Sequence, residues 1–297
     1  MKRFFIIGNP RSGTTLLRLM LNKHNKISVP PEAGFLTWLF KEFADFTFSD
    51  RNAERFIGAL EKTLKIENWN LDFHVLENYI KEQKPSDYPQ LIDCVYRFYS
   101  IFNLKKNVQI FGDKNNFYLN EIDLLHRLYP EAKFIHIIRD GRSVAVSYKE
   151  LNQKSIDSKY APKLPNDMES IAEEWVQNIE KIEASFSAIN DDLHHTIKFE
   201  ELIEKPEDIL RDICVFLEID YDEEMLNYFR TTQNDGLEPD DFLQWKSKNL
   251  MPLQKDEAKK YTKLSPDELR AFERNARLHR RLYPRGGEIS GEVVESW

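Results

Sequence analysis

The segment Gly8-Asn9-Pro10-Arg11-Ser12-Gly13-Thr14-Thr15 gathers two glycines, one guanidinium and three hydroxyls into eight residues. Such a segment can hold an anion. It follows a short, fully apolar run, Phe4–Ile7, and leads into LLRLMLNKH, which is rich in helix formers. A loop passing from a buried strand into a helix turns backbone N–H groups onto an anion, and the helix dipole adds ~0.3–1 kcal/mol. Gly8 and Gly13 keep the spacing of the nucleotide loop G-x-x-x-x-G-K-[ST], yet Thr14 stands where that loop has its lysine.

A nucleoside triphosphatase needs that lysine on its β- and γ-phosphates, and an acidic residue ending a neighbouring strand for Mg²⁺. The neighbouring strand expected at Lys133–Ile138 (KFIHII) ends instead in Arg139, and Asp140 is flanked by Arg139 and Arg142. The loop's own cation is Arg11. The pattern suits an anion handled without a metal. A kinase or nucleotide hydrolase is the first rival reading, and a nucleotide-binding protein without catalysis is the second.

Other residues join this site by position. Lys114 follows an expected strand at Gln109–Gly112, at the edge of a sheet where ligands bind in open α/β folds. Ser147 lies close to the start of the helix expected after Arg139, a position that favours a phosphate contact.

The elements that must position these groups alternate along the chain. A helix is expected at Ile122–Tyr129, stopping at Pro130. Val144, Ser147, Tyr148 and Leu151 share one helical face. A long amphipathic helix runs over Ile171–Ile189 and a fourth strand over His195–Phe199. Pro206 opens a helix with the stripe Ile209, Ile213, Phe216 and Leu217. Ser265-Pro266-Asp267-Glu268 forms a capping box ahead of a last helix reaching about Tyr283. The expected fold class is therefore α/β, with three layers, a central parallel sheet and helices on both faces. One domain spans 1–285. Within it lie a helical acceptor-side subregion at 35–108 and a polar loop or lid at 152–167, and a flexible tail follows at 286–297. The aromatics Phe35, Trp38, Phe40, Phe43, Phe46 and Phe48 either pack helices or line an acceptor pocket.

The chain has 297 residues, a formal charge of -8 and 41% hydrophobic residues. That composition provides a core, and the acidity argues against nucleic acid as partner. No apolar run reaches the ~20 residues of a membrane span. Phe4–Ile7 is also shorter than the ~7–15 residues of a signal core. Cys94 and Cys214 have no metal-ligand spacing and read as buried thiols. A cytoplasmic location is expected. Oligomeric state stays open, since the tail has no heptads.

Gly8–Thr15 resembles the 5'-phosphosulfate loop of sulfotransferases that use PAPS (3'-phosphoadenosine 5'-phosphosulfate), especially the tyrosylprotein-type and bacterial members with arginine in that loop. The resemblance implies that Arg11, Ser12, Gly13, Thr14 and Thr15 hold the 5'-phosphosulfate. KFIHIIRDGRSVAVSY is similar to the 3'-phosphate motif, which implies Arg139 and Ser147 as its ligands. FGDKNNFYL resembles the family's GDKTP segment, whose lysine approaches the sulfonate; that is Lys114. The stretch IKFEELIEKPEDILRDICVFLEIDYDEEML is similar to the family's C-terminal strand–helix unit. Glu32, in Val29-Pro30-Pro31-Glu32-Ala33-Gly34, stands where arginine-loop members carry their catalytic base. Lys246, in FLQWKSKNL, falls in a late loop where members close over the nucleotide. Phe199 replaces a common tyrosine, and Asn115-Asn116 replaces Thr-Pro. Histidine is the base in cytosolic members, but His24, His126, His136, His194 and His195 all have ordinary structural readings. The implied reaction moves a sulfonate from PAPS to a hydroxyl or amine, releases PAP and needs no metal. The acceptor partner, whether small molecule, saccharide, lipid head group or peptide, is not specified.

Overall fold

Successive side chains of Lys2–Ile7 (β1) point to opposite faces, and both faces are apolar. Phe4 and Ile6 pack on one side, Phe5 and Ile7 on the other. A strand buried on both faces belongs inside a parallel sheet, and β1 lies at its centre. The computed structural model describes residues 1–103, 105, 107–230, 240–277 and 279–283. After β1 come α1 (Thr14–Lys23), β2 (Ile27–Ser28), β3 (Ile110–Lys114), β4 (Lys133–Ile138) and β5 (His194–Lys198). The strands are ordered β2-β3-β1-β4-β5, and every pairing is parallel.

Helices cover both faces, as expected. On the Phe4 and Ile6 side, α1 and the Pro206–Leu217 helix bury Leu17, Met20, Leu210 and Ile213. On the Phe5 and Ile7 side the cover includes Phe56, Val95 and Phe98 from the helices Asp50–Leu60 and Tyr88–Phe102. Ile182 and Phe186 of the Met168–Phe186 helix complete it. Ser49, Asp72 and Asp87 cap three helices of the 35–102 region by accepting a backbone N–H, worth about 1 kcal/mol each. Phe35, Phe43 and Phe46 are buried in this core, Phe40 and Phe48 are partly buried, and Trp38 is 44% exposed against Phe117. The aromatics of this region therefore serve packing first.

Several boundaries differ from the sequence expectation. Asp113 and Lys114 belong to β3, because they pair with Phe5 and Ile6 of β1. The short edge strand β2 was not anticipated; two residues give too little periodicity to register. Asp167 starts the long helix at Met168 by accepting the Ser170 N–H. β5 ends at Lys198, and Phe199 opens a one-and-a-half-turn helix. The buried stripe on Pro206–Leu217 is Leu210, Ile213, Cys214 and Leu217, with Ile209 and Phe216 on its flanks. FLQWKSKNL is helical rather than a loop, split into Asp240–Lys246 and a 3-10 turn at Ser247–Leu250. The last helix breaks at Asn275 and resumes over His279–Leu282. Residues 153–167 contain neither helix nor strand. The tail at 286–297 lies outside the described residues. Cys94 and Cys214 are both buried and unlinked. Among the described residues no helix is long and apolar enough to cross a membrane.

Candidate functional site

The three central strands end side by side, which brings the loops after β1, β3 and β4 to one edge of the sheet. The loop after β1 is shaped by its backbone. A Cβ on Gly8 would lie 2.7 Å from the Ile137 carbonyl oxygen, so only glycine lets the loop cross β4. Gly13 has φ 94 and acts as the N-cap of α1 without a side-chain cap. The N–H groups of the first turn consequently have no partner within the helix. Arg11 also sits in the left-handed region, with φ 68, a conformation that costs a non-glycine residue about 1–3 kcal/mol. Arg139 secures it by donating from Nη1 to the Arg11 carbonyl at 3.1 Å.

Arg11, Gly13, Thr14, Thr15, Glu32, Lys114, Arg139, Ser147 and Lys246 all line one cleft above this edge. Ser12 is not among the side chains that line the cleft. Its side chain is fully buried, and its hydroxyl has no hydrogen-bond partner and does not face the cleft. A 3.1 Å backbone hydrogen bond closes the turn from Asn9 to Ser12.

At one end of the cleft Glu32 is ringed by ammonium groups from three separate elements. Lys114 at the end of β3 donates to Oε1 at 2.5 Å, and Lys246 donates to the same oxygen at 3.1 Å. Lys65 donates to Oε2 at 2.7 Å. Burial alone would raise the Glu32 carboxyl, but the charges of Lys114, Lys246 and Lys65 outweigh it and hold it well below the usual carboxylate range. Lys114 also lies 3.4 Å from Thr15 Oγ1 and 2.7 Å from Asn116 Oδ1. The Asn-Asn pair thus has a defined shape. Asn116 steadies the lysine, while Asn115 is buried and donates to the Ala33 carbonyl and Asp113.

At the other end, Arg11 Nε donates to Ser147 Oγ at 3.1 Å. Burial and the neighbouring Arg139 charge push the Arg11 guanidinium below its ordinary value. Arg139 rests 4.2 Å above the Phe199 ring, a cation–π seat that replaces any hydroxyl contact there. Its Nη2 donates to the Glu257 backbone oxygen at 2.8 Å and to Glu257 Oε2 at 3.0 Å. Lys248 and Lys260 face the same carboxylate. Burial would raise Glu257, but Lys248, Lys260 and Arg139 bring it down to about 2. Three cations thus converge on one carboxylate beside Arg11 and Ser147.

Nearby charges serve structure. Asp140 accepts from Arg142 and contacts His279 at 2.8 Å, and Arg142 lies over the Tyr261 ring. His136 is buried within β4, and desolvation pushes it down to about 3. His24 Nε2 lies 2.8 Å from the Asp220 carbonyl, and its Nδ1 accepts from the Lys26 N–H. None of these imidazoles lines the cleft. The sequence reading missed Lys65, Lys260 and Glu257. Lys65, with φ 71, caps the short 3-10 helix Ile66–Trp69, and an isolated lysine there carries no local signal.

The model of the Sulfotransferase family matches residues 3–223. The putative protein-tyrosine sulfotransferase of Caenorhabditis briggsae is 27% identical over 232 residues, covering 75% of this chain and 68% of that protein. Protein-tyrosine sulfotransferase 1 of Danio rerio is 24% identical over 231 residues, 77% of this chain and 56% of the relative. An uncharacterized protein of Aquifex aeolicus is 22% identical over 241 residues, 76% of this chain and 27% of that protein. The chain therefore spans between 27% and 68% of the length of these three relatives. The sulfotransferase domain of the Synechococcus PCC 7002 olefin synthase has a TM-score of 0.58 at 22% identity, covering 93% of this chain and 94% of that one. The sulfotransferase domain from the curacin biosynthetic pathway gives 0.57 at 20% identity, with 92% and 97% covered. Both solved domains share the fold, and the family match takes in the phosphate loop, Glu32, Lys114, Arg139 and Ser147: the chain belongs to the sulfotransferase family.

Proposed function

We propose that this chain transfers the sulfonate of PAPS to a hydroxyl or amine of an acceptor and releases PAP. The observation that carries the reading is the position of Lys114, whose ammonium reaches both Glu32 and Thr15 of the phosphate loop. Base and anion site therefore meet at one cation. The donor fits the residues present. The uncapped first turn of α1, with Arg11, Thr14 and Thr15, suits a 5'-phosphosulfate. Arg139, whose Nε is buried without a partner, and Ser147 suit a 3'-phosphate.

When bound, the donor supplies an activated sulfonate whose sulfur–oxygen bond breaks, with the electron pair leaving on the phosphate. Glu32 takes the proton from the acceptor as its oxygen or nitrogen bonds to sulfur. Lys114, Arg11 and the loop N–H groups neutralise charge at the departing oxygen. Held by three lysines, Glu32 is ionised at neutral pH and a weak base. Donor oxygens that engage Lys114 and Lys246 would restore its basicity, so donor and acceptor chemistry are coupled. Relatives named for protein tyrosine put peptide tyrosines among the acceptors to test, beside small molecules, saccharides and lipid head groups. The two buried, unlinked thiols are in keeping with a reducing, cytoplasmic setting.

The test is release of PAP from PAPS across an acceptor panel, followed by mass spectrometry of the acceptor. Gain of one sulfonate by an acceptor, dependent on Glu32, supports the reading. Mg²⁺-dependent phosphoryl transfer from ATP with no sulfonate transfer would overturn it.

A further inference from the structure

The three lysines around Glu32 are not equivalent. Lys114 and Lys246 both engage Oε1, and their side chains are 1% and 7% exposed. Lys114 also reaches the phosphate loop through Thr15. Oε1 is thus the oxygen on the donor side. Lys65 engages Oε2, and it is 23% exposed.

Lys65 is also held from outside the phosphate-binding elements. Its ammonium stands 5.2 Å from the Phe242 ring centroid and 5.7 Å from that of Tyr160. Its backbone N–H donates to the Tyr160 hydroxyl at 3.3 Å. Tyr160 in turn donates to Glu67, which Lys159 joins at 3.1 Å. These contacts tie the turn at 65–67 to the segment at 159–160 and fix where the Lys65 ammonium can stand. A strained, left-handed backbone at Lys65 (φ 71) marks the same fixed placement.

We infer that Lys65 is a positioning residue for the base. It anchors Glu32 through Oε2, while Lys114 and Lys246 leave Oε1 for the donor and expose that oxygen to the acceptor. The inference rests on the sulfonate-transfer reading and adds a division of labour within it. Two donor-side cations move off one oxygen as the donor binds, and one fixed cation keeps the carboxylate from turning. The acceptor proton then passes to Oε1, on the side facing sulfur. Lys114, Lys246 and Lys65 are the charged groups facing Glu32 from the elements packed against it. With two of them drawn away, Lys65 sets the titration of the base in the reacting complex.

The experiment is a carbon-13 NMR titration of the Glu32 carboxyl, assigned with Glu32→Gln, in protein saturated with PAP. Calorimetry first establishes that PAP binds. Lys65→Met is expected to move the Glu32 midpoint to higher pH in the PAP complex and to leave PAP affinity within about twofold. Lys65→Arg, which keeps the charge, is expected to restore the low midpoint. An unchanged midpoint in folded, PAP-bound Lys65→Met overturns the anchoring role and leaves the functional reading standing. A Lys65→Met variant that melts early with Lys65→Arg also failing to restore the midpoint makes Lys65 structural only, which equally overturns it. Failure of the unsubstituted protein to bind PAP sinks the functional reading itself, and this inference with it.

Discussion

The two ends of the cleft are assembled in different ways. The phosphate-loop side rests first on backbone, namely the ends of β1 and β4, the left-handed residues Arg11 and Gly13, and the uncapped first turn of α1, with the Glu257 cluster added beside it. The Glu32 side rests on side chains that arrive from far apart, with Lys65, Lys114 and Lys246 meeting one carboxylate. A site made from strand ends keeps its geometry as long as the sheet stands. A site made from converging charges depends on each partner, since removing one leaves the others uncompensated. Substitutions should therefore affect chemistry at the Glu32 end and donor affinity at the Arg139 end.

The largest expected effect is on turnover. Glu32→Gln should lower kcat by roughly 10²–10⁴-fold, the usual range for a positioned base, with PAP affinity undiminished or raised, since Lys114 and Lys246 are then free for the donor. Steady-state kinetics and calorimetry on the same preparation check both halves. A loss of PAP affinity as large as the loss of kcat would erase the distinction between the two ends.

Arg139→Met should reverse the pattern. PAP affinity is expected to fall by roughly 10–100-fold, as for loss of charge-assisted hydrogen bonds, while ADP, which lacks the 3'-phosphate, binds no worse than before. Equal losses for both nucleotides would place Arg139 in the loop scaffold alone, through its bond to the Arg11 carbonyl.

Glu257→Gln sharpens the same end with a smaller gain. Its carboxylate is paired with Arg139, Lys248 and Lys260 and must yield them to a phosphate. Removing the charge should raise PAP affinity severalfold, by an amount comparable to one screened ion pair. Calorimetry at two salt concentrations reads it, and unchanged affinity would mean that the phosphate does not compete for these cations.

The difference between the ends also explains what could be read from the sequence. The phosphate loop, Lys133–Ile138 and Arg139 with Ser147 are contiguous in the chain, so their chemistry and their elements appear together. Lys114 and Glu32 were found through short motifs around each. Lys65 and the Glu257–Lys260 pair were not, because what defines them is a meeting with Glu32 or Arg139 across tens or hundreds of residues.

The core offers a test on stability rather than on chemistry. His136 is neutral in the folded chain because burial pushes it down to about 3, below the ordinary 6.5 of the unfolded state. A depressed histidine stabilises the fold above pH 6.5, and that contribution is lost as pH falls from 6.5 toward 3. Across that window the unfolded chain gains up to a factor of about ten per pH unit from this group. His136→Phe should flatten the acid side of a urea-midpoint series. An unchanged slope would assign acid sensitivity to the carboxylates.

The most direct test of donor recognition is calorimetric titration with PAP, then ADP, then ATP with Mg²⁺. The expected result is tight PAP binding without metal that weakens greatly when the 3'-phosphate is absent. No PAP signal, together with clear Mg²⁺-dependent ATP binding, would contradict it.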